Sequence, residues 1–300
     1  MSRRRQSGRP VHGILLLDKR QGVSSNRALQ EVKRLFAANK AGHTGSLDPL
    51  ATGLLPVCFG EATKISALLL DDDKRYRVAI QLGVVTDTGD AEGKVLSTQS
   101  VPEFDRQRLD RCLSGFTGTI EQIPPMYSAL KHQGKRLYEL AREGLEVQRK
   151  PRRITIHSIE FLHYKGDLLT LDVTCSKGTY IRSLAEDVGR DLGCGASVRE
   201  LRRTAVGRLA IDAAWTLTEL QGLDDEQLLQ CLQPIDLALA AWPKVILDTD
   251  LADRISHGQK VASPERLQSG KVRIYTQRGI LGIGEIDRQG ELSPRRLFKI

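Results

Sequence analysis

Residues 42–53 read Gly42-His43-Thr44-Gly45-Ser46-Leu47-Asp48-Pro49-Leu50-Ala51-Thr52-Gly53, and the apolar run Leu54-Leu55-Pro56-Val57-Cys58-Phe59 follows without a break. Three glycines and a proline exclude a regular helix or strand through the first segment, so it reads as a loop. The apolar run behind it anchors that loop to a core. One carboxylate, one imidazole and three small hydroxyls therefore sit on a stiff turn against a buried wall. An acid held this way can be a nucleophile or a base. The plainer reading is an aspartate closing an Asx-type turn, which is common. Pro49 pushes Asp48 toward extended backbone in either case.

The rest of the chain bounds what that loop can serve. Its 300 residues suggest one large domain, or one large and one small. Hydrophobic residues make up 40% and charged residues 27%, the proportions of a globular protein. No apolar stretch reaches the roughly 20 residues that span a bilayer, and the basic start, residues 1–10, lacks the apolar segment of a secretory signal. The expectation is a cytoplasmic protein with a disordered basic start. Five scattered cysteines, none at C-x-x-C spacing, argue against a zinc site or a disulfide framework and read as buried thiols. A net charge of +8 favours polyanionic partners, nucleic acid first. The basic groups at residues 131–136, 149–153 and 199–203, several of them in loops, read as favouring phosphate contact over plain solvation; Arg3-Arg4-Arg5 could be either.

Periodicity predicts a strand at residues 13–17, a helix capped by Ser24 or Ser25, and a short helix over 62–70. Residues 76–82 alternate as a strand, with Tyr76, Val78, Ile80 and Leu82 on one face. Residues 86–93 form a glycine- and aspartate-rich turn, 106–114 a helix, and 123–129 an extended proline segment. A hairpin, 154–164 with 168–175, leads through Ser176-Lys177-Gly178-Thr179 into a helix that ends at Gly193-Cys194-Gly195. The irregular alternation with hairpins predicts α+β with a mainly antiparallel sheet. After Trp242-Pro243 the pattern becomes short strands, 271–275 and 280–286, in a small β-rich unit that must dock on the main body.

Several side chains invite a chemical reading. Tyr76 is either an edge aromatic or a stacking and proton-transfer residue. His43 is a base, a binding residue or a loop pin. Tyr180 and Arg182 open the helix after a polar turn suited to phosphate. Arg182 is unfavourable there for the helix dipole, so it requires an anionic partner. No metal motif, Walker loop or dinucleotide fingerprint occurs, so no bound cofactor is expected.

These segments together resemble a known family. The run from Gly42 to Lys64 is similar to the signature of the TruB family of bacterial tRNA pseudouridine-55 synthases. So are Ile123-Pro124-Pro125-Met126-Tyr127-Ser128-Ala129-Leu130-Lys131, Cys175-Ser176-Lys177-Gly178-Thr179-Tyr180-Ile181-Arg182, Leu201-Arg202-Arg203-Thr204 and the region of Lys19. The resemblance covers essentially the whole chain in order. Ser46 stands where threonine is common and keeps the hydroxyl. The resemblance implies a pseudouridine synthase fold over residues 1–243, with a mixed sheet flanked by helices, and a PUA-like RNA-binding domain over 244–300. It implies isomerisation of uridine 55 in the tRNA T-loop through base flipping, without a cofactor or metal. It makes Asp48 the nucleophile, Arg182 its partner and Tyr76 a base-contacting residue that assists proton transfer. His43, Tyr180, Leu201, Lys19, Lys64 and Lys131 would bind the substrate. Asp48 could attack C1′, attack C6, or promote glycal formation at C2′. The implied partner is tRNA, held at the T-arm and, through the C-terminal domain, at the acceptor stem. No guide RNA or protein partner is expected, because the long lysine-rich tail of guide-dependent relatives is missing. A basic RNA chaperone is the contrasting class; Asp48, Tyr76 and Arg182 argue against lost catalysis.

Overall fold

The computed structural model describes residues 8–299; Arg3-Arg4-Arg5 lies outside the described residues. The larger unit begins with β1 (Gly13–Lys19), α1 (Ser25–Leu35), β2 (Ala41–His43), β3 (Thr52–Phe59), α2 (Ser66–Asp71) and β4 (Lys74–Leu82). The short strands β5 (Val84–Thr86) and β6 (Val95–Thr98), helix α3 (Arg106–Gly115) and β7 (Gly118–Gln122) follow. Two-residue strands β8 (Lys131–His132) and β9 (Lys135–Arg136), helix α4 (Leu137–Arg142) and the hairpin β10 (Arg152–Lys165) and β11 (Leu168–Cys175) come next. Helix α5 (Ile181–Asp191), strands β12 (Ala196–Val206), β13 (Leu209–Ala210) and β14 (Trp215–Thr216), and helices α6 (Leu217–Gln221) and α7 (Asp225–Gln230) complete the unit.

The main sheet runs β14-β1-β3-β12-β4-β11-β10-β7, with β2 beside β3 and β13 beside β12. Within it only β1 with β14 and β3 with β12 pair in parallel. This is the mixed, mainly antiparallel sheet expected from the hairpin-rich pattern. Strand β1 shows why its apolar run is continuous rather than alternating. Leu15 and Leu17 face a core shared with α1 and α5, while Ile14 and Leu16 pack with Leu54, Cys58, Ile65 and Leu69 on the other face. A strand covered on both faces has no polar side to display. Helix α1 buries Ala28, Leu29 and Val32, and its end is capped by Ser24, whose hydroxyl accepts from Arg27 N–H at 3.2 Å.

The smaller unit holds β15 (Lys244–Ile246), α8 (Thr249–Ser256), β16 (Val261–Ala262), β17 (Gly270–Thr276), β18 (Gly279–Ile286) and β19 (Glu291–Leu297), in sheet order β15-β17-β18-β19-β16. It has its own core around Val245, Ile255, Val272 and Leu292. Ile283 and Phe298 join the cluster of Ile14, Leu16 and Leu54, so the unit is packed on the back of β1 and β3.

Some expectations require correction. Strands reach into both ends of the glycine-rich run: Gly42 and His43 lie in β2, and Thr52 and Gly53 in β3, leaving 44–51 as the loop. Residues 62–70 are not one helix but a 3-10 turn, Gly60–Lys64, followed by α2. Residues 123–129 contain bends instead of a continuous extended segment. Of the expected disordered start, residues 1–7 lie outside the described residues, and Arg9 is held in place: its N–H donates to Ala37 O and its guanidinium pairs with Asp225 at 2.8 Å. Residues 199–203 are not a loop. They lie in β12 at the centre of the sheet, where Arg203 is 1% exposed. A run rich in arginine resembles a solvated loop, yet here alternate side chains face the pocket and the opposite side of the sheet.

Candidate active site

The loop 44–51 is held by backbone contacts. Ala51 N–H donates to Asp48 O at 3.1 Å, closing a turn through the main chain and leaving the Asp48 carboxylate free of that task. Ser25 from the start of α1 accepts from Leu47 N–H at 2.7 Å. Gly53 has φ +102°, and a Cβ there would lie 2.3 Å from Arg203 O, so the strand after the loop can approach β12 only with glycine.

Two buried cations brace the loop from opposite sides. Lys19 Nζ donates to Val23 O at 2.8 Å, Arg20 O at 3.0 Å and Pro49 O at 3.5 Å. Burial pulls its ammonium down to about 8, against the opposing pull of the Asp48 charge. From β12, Arg203 Nε donates to Leu54 O at 2.7 Å and Nη2 to Gly45 O at 3.1 Å. Lys19 thus reaches the loop's backbone and is not among the residues lining the cleft beside Asp48.

Helix α5 brings the second half. Its Tyr180 N-cap has no side-chain cap of its own; instead Gln122 of β7 accepts from Tyr180 N–H at 2.7 Å and donates to Tyr180 O at 3.0 Å. In the first turn of α5, Arg182 is buried and meets the anion its position demands. Its Nη2 lies 3.0 Å from Asp48 Oδ2 and its Nη1 lies 3.5 Å from Asp90 Oδ2. It also donates to Thr88 O at 2.9 Å and Tyr127 O at 2.7 Å. One guanidinium therefore fastens the loop, the 86–93 turn and the proline segment together. Asp90 is 3% exposed and accepts from Thr88 Oγ1 at 2.7 Å and Glu92 N–H at 3.1 Å, which fixes its orientation.

The Asp48 side chain remains 42% exposed toward a cleft of about 310 Å³. Desolvation raises its carboxyl pKa above the ordinary value, Arg182 opposes that, and the Asp90 charge adds to it. The walls include Tyr76, Tyr180, Leu201, Lys74, Arg182 and Arg203. Tyr76 and Arg203 are register partners on β4 and β12. Desolvation pushes the Tyr76 and Tyr180 phenols up, so both keep their protons at neutral pH.

Of the residues the sequence singled out, Asp48, Tyr76, Tyr180, Arg182 and Leu201 converge here. His43 lies half-buried in β2 opposite Val57, and its Nδ1 has no hydrogen-bond partner; burial first, then Arg203, lowers its pKa and keeps it neutral. Lys131 is exposed at the base of the β8–β9 hairpin. Lys64 is at the seam between the units, bonded to Glu61 at 2.5 Å and Leu297 O at 2.6 Å. Sequence reading missed Asp90, Lys74, Gln122 and Arg203 as site builders. Asp90 had a signal in its threonine- and glycine-rich turn; Arg203 was masked by its basic neighbours. A larger groove of about 1030 Å³ lies beside Asp18, Arg20, Glu31 and Arg202. Its two carboxylates are paired, Asp18 with Arg202 at 2.6 Å and Glu31 with Arg20 at 2.8 Å, and both are far less exposed than Asp48.

Comparison with known proteins places the whole chain beside one family. A family model described as TruB family pseudouridylate synthase (N terminal domain) matches residues 33–181. Models described as tRNA pseudouridylate synthase B C-terminal domain and as Pseudouridine synthase II TruB, C-terminal, match 182–240 and 243–298. The tRNA pseudouridine synthase B of Nitrosococcus oceani is 54% identical over 299 residues, 98% of this chain and 97% of that one. That of Chromohalobacter salexigens is 51% identical over 297 residues, with 98% and 97% covered. Among solved structures, one of a Cbf5-Nop10-Gar1 complex matches with a TM-score of 0.71 at 24% identity, over 99% of this chain and 90% of that one. At that identity the likeness concerns the fold.

Proposed function

The chain belongs to the TruB family of pseudouridine synthases and is a tRNA-modifying isomerase, and from that premise we propose that it converts uridine 55 of the tRNA T-loop to pseudouridine with Asp48 as nucleophile. The observation that carries this reading is the Asp48 carboxylate, 3.0 Å from a buried Arg182 and open to a base-sized cleft. The reaction breaks the N1–C1′ bond, turns the uracil and rejoins it through C5. It consumes no redox equivalent and transfers no group to water, so the chain's own side chains suffice. A base inside a stack is out of reach, so the target nucleotide must flip into the cleft. Tyr76 offers a stacking face, worth about 1–3 kcal/mol by analogy with single-strand binding. Leu201 and the strand behind Leu54 exclude water, which would otherwise hydrolyse the detached intermediate. His43, neutral and with an unpaired buried nitrogen, suits a contact to RNA rather than general-base work.

The catalytic unit would span residues 1–243. The exposed β8–β9 hairpin carries Lys131, Lys135 and Arg136 for phosphate contacts near the T-arm. Residues 244–300 would form the PUA-like unit, presenting Lys244 over Tyr275 and Lys271 over Trp242 to the acceptor stem. Lys64 would act by holding that unit in place, and Lys19 by holding the loop. The enzyme would work in the cytoplasm on naked tRNA without a guide RNA or obligatory protein partner. Among the described residues no helix is long and apolar enough to cross a membrane.

The test is pseudouridine mapping on a T-arm stem-loop with purified wild type and Asp48→Asn. Wild type should modify the target uridine alone. Asp48→Asn should bind the RNA equally and lose about 10⁴-fold or more in rate. Substantial turnover by that variant would sink the assignment of Asp48, and a requirement for added guide RNA would sink the stand-alone reading.

A further inference from the structure

Arg203 and Lys74 share a property that Arg182 lacks. Both line the cleft and are buried, at 1% and 7% exposure, yet among the described residues neither forms an ion pair. Among the described residues Arg203 bonds to the carbonyls of Leu54, Gly45 and Ser46 and lies against the neutral Tyr76 phenol, with no carboxylate in contact. Lys74 bonds only to the carbonyls of Leu69, Leu70 and Asp72 at the end of α2. Carbonyl dipoles satisfy the N–H groups but do not cancel a unit charge, and a buried ion without a counter-ion is costly. A neutral donor could brace a loop or cap a helix end at lower cost. The charge itself therefore needs an anion.

The charged walls of the cleft, Asp48, Lys74, Arg182 and Arg203, with Asp90 behind Arg182, sum to one positive charge; Lys19 and Glu92 act on Asp48 from outside these walls and cancel, and the Asp72 carboxylate near Lys74 makes no ion-pair contact with it. The reaction proposed above supplies the balancing anion. If Asp48 attacks C1′, its Oδ–C1′ bond forms, N1–C1′ breaks and N1 keeps the electron pair. If Asp48 takes the C2′ proton, the C2′–H pair becomes the C1′=C2′ bond and N1 again keeps the N1–C1′ pair. If Asp48 adds to C6, the C5=C6 pair moves onto the C4 enolate. In all three, one negative charge passes from Asp48 to the uracil.

We propose that Arg203 and Lys74 hold that displaced charge: they stabilise the uracil anion and retain it in the cleft while it turns to present C5. This rests on the reading of the cleft as a uridine-isomerising site. Arg203 is well placed for the role because it sits beside Tyr76, the stacking face proposed for the base.

Single-turnover conversion of T-arm stem-loops carrying uridine or 5-fluorouridine at the target position separates this role from loop bracing. Fluorine at C5 itself stabilises the uracil anion, so that substrate needs less help. Arg203→Gln should slow the uridine substrate by about 100-fold, the order seen when one donor to a developing anion is removed. Its penalty on 5-fluorouridine should be several-fold smaller, and Arg203→Lys should recover most of the uridine rate. Equal penalties on both substrates would mean a brace alone and overturn the proposal. If Arg203→Gln does not fold, Lys74→Gln gives the same comparison. A wild-type measurement stands beside these: 5-nitrouracil, an anion at neutral pH, should inhibit more strongly than uracil, and equal inhibition counts against the proposal. Failure of wild type to make pseudouridine from uridine would refute the site's function instead, which is a separate outcome.

Discussion

The first turn of α5 and the middle of β12 each bury an arginine in the same cleft. Arg182 meets two carboxylates and two carbonyls, and so joins three segments that are far apart in the chain. Arg203 meets no carboxylate: it donates to carbonyls of the loop and the strand that follows it and lies against the neutral Tyr76 phenol. The first arginine neutralises and orients an acid. The second leaves its charge uncompensated and fixes backbone. A third kind of basic residue, on the β8–β9 hairpin, is exposed and can act only through a bound polyanion. Burial and partner type, not residue type, separate the three roles.

Removing Arg182 is the harshest way to probe that contrast. Arg182→Met should leave Asp48 and Asp90 facing each other without a cation. Breaking such a buried cluster costs about 3–5 kcal/mol of stability, read from the denaturant midpoint, and the rate should fall with it. If the loss is no larger than for an exposed arginine, the neutralising role is wrong.

Gly53→Ala tests the backbone contact under Arg203 without touching its charge. The new methyl would meet Arg203 O in a left-handed conformation, which should cost about 1–3 kcal/mol. Lost activity should follow displacement of the loop, visible as a raised KM with T-arm RNA. An unchanged midpoint would show that β3 and β12 can separate freely.

The pH dependence sharpens the Asp48 half. Its folded pKa lies above the ordinary 3.8, so the ionised form is disfavoured by folding. The acid limb of kcat/KM should therefore fall above that ordinary value, and move further up in any folded Arg182 variant. The same sign makes the Asp48 charge a stability cost that is absent below 3.8 and grows as pH rises through the folded pKa. Asp48→Asn should accordingly melt no lower than wild type at pH 7, with the difference vanishing in acid. A clear loss of melting temperature would reverse the sign.

The smallest effect belongs to the exposed hairpin. Lys131→Ala and Arg136→Ala should each weaken T-arm binding a few-fold. Each should also reduce the slope of log affinity against log salt by about one, leaving single-turnover chemistry intact. A change in the chemical step with unchanged affinity would place the hairpin in the cleft's machinery.

Much of this was legible in the residues. The apolar run behind residues 42–53 read as an anchor to the core, and the structure makes it the buried strand β3. An arginine in the first turn of a helix needed an anion, and Arg182 has Asp48. The Tyr76 strand and the helix after Thr179 emerge from periodicity, while the 168–175 strand, buried on both faces, was legible as the second half of a hairpin. The loop alone left Asp48 between turn former and nucleophile, and the family resemblance favoured the nucleophile; the fold adds that main-chain atoms close the turn and leave the carboxylate free of it.

Local pattern could not place Arg203, Lys74, Asp90 or Gln122. Their meaning depends on neighbours in space: Arg203 touches residues about 150 positions earlier, and Gln122 clamps Tyr180 across 58. In sequence, an arginine run and a buried charged strand look alike, since charge reports side-chain type and not which face is sealed. The amino-acid order thus determined the elements, the acid and its need for a cation. Only the tertiary structure decided which cations lost their water, because desolvation is a property of what packs around a group and not of the group itself.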